Sequence, residues 1–195
     1  MAKNENENHL MIDFETLDVG SMPVLLSVGA VVFNPYKEQP FIDFERSIDI
    51  QSCIDLGGTI SGSTIKWWMG QSAEARNKIT NPTTVQGTAK EVFVSIAAFC
   101  KEHKVKKVWG QGANFDPVIC DNYYKALGIK SPWLYYNVRD TRTLFDLTGI
   151  TRTPIAIKHS ALEDARGQAI DVMRCCMGFK NLVERMKDVE KGTNS

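Results

Sequence analysis

Up to residue 48 the apolar residues fall in three short β-rich runs, and from about residue 61 they recur every three or four positions. That change of period dictates a small sheet followed by helices. Leu10-Met-Ile-Asp-Phe-Glu-Thr16 has the content of a buried strand. Val24 to Phe33 is β-rich and stops at the turn signal Asn34-Pro35, and Phe41 to Ile48 alternates apolar with polar. Their short connections predict an antiparallel meander, because a parallel return needs a crossover of a dozen or more residues.

The helical half reads as Ser63 to Met69, a short segment capped by Ser72, and a long helix ending near His103 whose face carries Val85, Ala89, Val92, Phe93, Ile96 and Phe99. A strand follows at Val105 to Trp109, then a helix opening near Phe115-Asp116-Pro117, where proline suits the first turn. Next come a strand over Leu134 to Val138 and a helix over Thr141 to Leu147. Ser160-Ala-Leu-Glu163 reads as a capping box that starts the last long helix, and a second amphipathic stretch, Leu182, Val183, Met186 and Val189, closes the chain. The order predicts an α/β architecture: a mixed five-stranded sheet, antiparallel in its first three strands and then parallel, with helices on both faces.

A chain of 195 residues, 43% hydrophobic, suffices for one sizeable core. The expected layout is a tail over residues 1–9, one domain over 10–190 and a tail over 191–195. Five cysteines without a CxxC pair argue against a disulfide framework or a zinc cluster. The polar N-terminus lacks a signal-peptide core and no run reaches the ~18 apolar residues of a membrane span, so the cytoplasm is the expected address and no membrane partner is expected. The 23 basic and 23 acidic residues cancel, which leaves no global electrostatic footprint for nucleic acid.

Asp13 and Glu15 interrupt an apolar strand two positions apart, and the strand period sends both carboxylates to one face. A hard divalent cation would compensate them, although the pair alone also fits an exposed acidic edge. Asp116 follows the strand ending at Trp109 through the turn Gly110 to Asn114. It sits where α/β sheets bind ligands if that strand neighbours the first, or it is a helix-start aspartate stabilised by the macrodipole. His159 precedes the capped helix and Asp164 lies in its first turn, so both face one place.

Asp13-Phe-Glu-Thr16, Asn114-Phe-Asp116 and His159-Ser-Ala-Leu-Glu-Asp164 resemble, in that order, the three exonuclease motifs of the DEDDh 3′-5′ exonuclease superfamily, and the likeness spans residues 10 to about 178. Ser63-Thr-Ile-Lys-Trp-Trp68, Trp109 to Asp116 and Arg139-Asp-Thr-Arg-Thr-Leu144 look like the phage and prophage branch of exodeoxyribonuclease VIII-like and phage exonuclease A-like proteins, related to ribonuclease AS. Gln111 and Asn114 depart from that branch's turn. The resemblance implies a ribonuclease-H-like fold and a metal-dependent 3′-5′ exonuclease of bacterial or phage-infected cytoplasm.

By that resemblance Asp13, Glu15, Asp116 and Asp164 hold two divalent cations, Mg²⁺ or Mn²⁺, about 3.5–4 Å apart, and His159 takes the proton of the attacking water. The four carboxylates carry about −4 and two such ions about +4, so the site receives a phosphate as a neutral cluster. Thr16 and Leu17 are expected to contact the terminal sugar and base, and Trp68 to bind substrate, with at least one of Trp67 and Trp68 in the core. The implied partners are 3′ ends of single-stranded DNA ahead of RNA, cleaved to nucleoside 5′-monophosphates, and a homodimer is a further expectation. The rivals are a ribonuclease-H-type endonuclease, an oligoribonuclease-like enzyme for short ends, and a vestigial binding module.

Overall fold

The computed structural model describes residues 6–82, 84–154 and 160–192. β1 (Asn8–Thr16), β2 (Leu25–Phe33) and β3 (Ile42–Ile48) form the antiparallel meander, with Asp13 opposite Gly29 and Glu15 opposite Ser27. β1 starts two residues before the expected strand, inside the stretch read as a tail. Helices α1 (Ile50–Asp55), α2 (Gly62–Met69) and α3 (Ala73–Thr80) follow, the last capped by Ser72, whose hydroxyl accepts from the Ala75 N–H.

β4 (Gln86–Gly87) then adds a sixth, two-residue strand parallel to β3, so the sheet exceeds the expected five. Val85 precedes it and is exposed, off the helix assigned to it by periodicity. That helix, α4, runs Ala89–Glu102 from a capping box of Thr88 and Glu91. β5 (Val105–Gly110) pairs parallel with β1, and α5 (Asp116–Ala126) carries Pro117 in its first turn. The expected strand over 134–138 is instead a 3₁₀ turn at Tyr135–Asn137, followed by a three-residue strand β6 (Val138–Asp140) beside β5. α6 (Thr141–Thr148) and one continuous α7 (Ala161–Gly192) complete the order, and the strands run β4-β3-β2-β1-β5-β6 across the sheet.

The pleat sorts β1 into two faces. Leu10, Ile12 and Phe14 pack with α4 and α5, through Phe93, Ile96, Ile119 and Tyr123 among others. Met11 points the other way, into a second core with Trp109, Phe145 and the α7 residues Ala165, Ala169 and Val172. Helices therefore cover both faces, and Asp13 and Glu15, on the parity of Met11, face α7. All five cysteines are buried free thiols.

Candidate active site

Three chain segments bring carboxylates to one end of β1. Asp13 and Glu15 lie on its α7 face for the reason of period just given. Asp164 reaches them because the first turn of α7 rests directly on β2 at Gly29, where a β-carbon would stand 2.1 Å from Leu162 N and 2.2 Å from the Ala161 carbonyl carbon. Only hydrogen at residue 29 allows that approach. One ligand oxygen each from Asp13, Glu15 and Asp164 then lies within 4.8 Å of the others.

Asp116 arrives from the opposite side. β5 ends at Gly110 and its pairing with β1 stops at Met11, so on that side β1 beyond Met11 meets no strand among the described residues. The Phe14 N–H donates instead to Asp116 Oδ1 at 3.1 Å, a bond buried with its 2% exposed aspartate. The turn before it is tied down by Asp140, which accepts from the Gly112 N–H at 3.1 Å and also caps α6 through Arg142 N and Thr143 N. The adjacency of β1 and β5 on which the placement of Asp116 depended is thus met.

The capping box expected at Ser160 takes another form: the Ser160 N–H donates to Asp164 Oδ2 at 3.2 Å, and Glu163 pairs with Arg166. Asp164 therefore holds the helix start as well as facing Asp13. His159 lies outside the described residues; its neighbour Ser160 is buried beside this cluster.

The electrostatics follow from the crowding. Burial pushes the Asp13 carboxyl well above the ordinary range, Asp116, Glu15 and Asp164 push it the same way, and a hydrogen bond from Gln168 opposes them. Burial also raises Asp116, to about 7, against backbone hydrogen bonds and the charge of Arg142. Repulsion of this kind is removed by a divalent cation, and an all-carboxylate donor set suits Mg²⁺ or Mn²⁺ better than thiolate-seeking metals. The residues present fit such ions.

Beside the carboxylates lies a cleft of about 380 Å³ lined by Glu15, Thr16, Val19, Ser63, Thr64, Trp67 and Trp68, with Phe14 at its base. Trp68 is the buried tryptophan, 6% exposed, and its indole N–H donates to the Thr16 carbonyl at 2.9 Å. Trp67 is 44% exposed and meets Trp68 edge to face. Trp67 is thus the more exposed ring of the pair, and Trp68 positions Thr16. Leu17, half-buried, packs against the core, and the exposed Val19 two residues on lines the cleft. Sequence reasoning passed over Gly29, Val19 and Gln168. Only the exposed apolar Val19 next to the first motif offered a readable signal.

The family model of the 3′-5′ exoribonuclease Rv2179c-like domain matches residues 8–176. An exodeoxyribonuclease of Enterobacteria phage T4 is 26% identical over 171 residues, covering 73% of this chain and 72% of the relative. The nuclease domain of 3′hExo, a DEDDh family member solved with rAMP, superposes with a TM-score of 0.54 at 14% identity, over 86% of this chain and 90% of that one. E. coli exonuclease I with a dA16 oligonucleotide gives 0.56 at 10% identity over 89% of this chain, which spans 43% of exonuclease I. The last two show the fold, a ribonuclease-H-like mixed α/β sheet. The chain belongs to the 3′-5′ exoribonuclease Rv2179c-like domain family and is, with it, a metal-dependent 3′-5′ exonuclease.

Proposed function

We propose that this exonuclease removes nucleotides from free 3′ ends of single-stranded nucleic acid, with Asp13, Glu15, Asp116 and Asp164 as ligands of two Mg²⁺ or Mn²⁺ ions and His159 as general base. The observation that carries the reading is the convergence of four carboxylates from β1, α5 and α7 on one end of the sheet. When bound, the cations activate water and stabilise the leaving 3′-oxygen. Asp13, Glu15, Asp116 and Asp164 would together hold the cations, with Asp13 at the centre of the mutual repulsion. His159 would accept the water's proton as general base. The products are nucleoside 5′-monophosphates.

The cleft beside Glu15 takes the terminal nucleotide, with the half-exposed Trp67 and Val19 lining the base and the Thr16 backbone, fixed by Trp68, against the sugar. Single strands suit this arrangement because a paired terminal base must first unstack. Likeness to the phage exodeoxyribonuclease favours DNA; the family's description as an exoribonuclease favours RNA as the second reading. The other proposed partner is a second copy of the chain, meeting the exposed α7 stripe of Phe179, Leu182 and Met186. Sedimentation of wild type against Leu182→Glu tests that point.

The exonuclease reading is tested with linear strands carrying a free or a blocked 3′ end and with closed circles of the same sequence. Mononucleotide release from free ends alone supports it. Cleavage of the circles would replace it with an endonuclease.

A further inference from the structure

We infer that Gln168 is a positioning residue that orients Asp13 for cation binding, an inference that rests on the reading of Asp13 as a cation ligand. Gln168 lies one helical turn after Asp164 on α7, between the buried Ala165 and Ala169, and is itself only 2% exposed. Its Nε2 donates to Asp13 Oδ1 at 2.8 Å across 155 residues of sequence, while its Oε1 is buried with no hydrogen-bond partner among the described residues. A buried amide with its acceptor unmet is costly, and an apolar side chain would suit this core position better. The donor end must therefore account for the residue. An ionised carboxylate accepts hydrogen bonds and donates none, so the amide presents the one group that recognises Asp13 in its charged form.

Holding Oδ1 stops the carboxylate turning about its own bonds and leaves its other oxygen directed by the protein. Partners of this kind that orient ligating carboxylates alter metal affinity by ~10–100-fold when removed.

The test uses the full chain and Mn²⁺ alone, without nucleic acid. Calorimetric titration of wild type, Gln168→Leu and Gln168→Asn is expected to show Mn²⁺ dissociation constants raised ~10–100-fold in both variants, with the thermal midpoint of the metal-free protein unchanged or higher in Gln168→Leu. The Mn²⁺ concentration for half-maximal oligonucleotide hydrolysis should rise in parallel, with KM for the oligonucleotide at saturating Mn²⁺ unmoved. If Gln168→Leu does not fold, Gln168→Met carries the same expectation. Wild-type Mn²⁺ affinity in the variants overturns the inference and leaves the cation reading standing. Absence of Mn²⁺ binding to wild type overturns both.

Discussion

A methyl group at residue 29 would collide with backbone atoms of Ala161 and Leu162, which cannot swing aside as a side-chain tip could. Gly29→Ala should lift the first turn of α7 from the sheet, lower stability by at least ~1–3 kcal/mol and withdraw Asp164 from Asp13 and Glu15. Thermal denaturation and Mn²⁺-dependent hydrolysis check this together; a variant with wild-type values for both would remove Gly29 from the account. His159→Ala should leave Mn²⁺ binding largely intact and slow turnover by ~10²–10⁴-fold, read by calorimetry beside single-turnover kinetics. The acidic residues were legible because the strand period and the helix start each give a side-chain direction. Gly29 and Gln168 were not, since their roles depend on which segment of distant sequence packs over them.

Among the elements, helix α2 contributes Ser63, Thr64, Trp67 and Trp68 to the cleft proposed for substrate. Trp67 is the exposed ring on α2, so Trp67→Ala should weaken binding of the 3′ end by ~1–3 kcal/mol, seen as a raised KM with kcat retained. Trp68→Phe instead removes the donor to the Thr16 carbonyl and should lower kcat as well; steady-state kinetics on one oligonucleotide distinguish the two. Which tryptophan faces inward was open from sequence, because adjacent helix positions point about 100° apart and either could have met the core. The long elements were readable from their periods. β4 and β6 were not: two or three residues carry no period, and β6 exists because Val138 to Asp140 lie against β5.

For the whole molecule, a net charge of zero conceals a concentrated acidic cluster, and stability should show it. Asp116 is raised to about 7 and Asp13 well above its usual range, so without cations the folded state binds more protons than the unfolded chain. The stability these groups contribute is complete below their unfolded pKa near ~4 and is lost as pH rises through their folded values. The metal-free protein should therefore melt at lower temperature at pH 7.5 than at pH 5, Asp116→Asn should flatten that slope, and Mg²⁺ or Mn²⁺ should restore stability most at the higher pH. Calorimetric scans at the two pH values, with and without EDTA, check the sign. The central claim, that these four carboxylates form the cation site of a 3′-5′ exonuclease, is met most directly by incubating matched 5′-labelled single-stranded DNA and RNA with wild type and Asp116→Ala in Mg²⁺, Mn²⁺ or EDTA. A ladder shortening from the 3′ end should form only with metal and vanish in the variant; an undiminished ladder from Asp116→Ala, or one that persists in EDTA, would rule out this carboxylate cluster as the cation site.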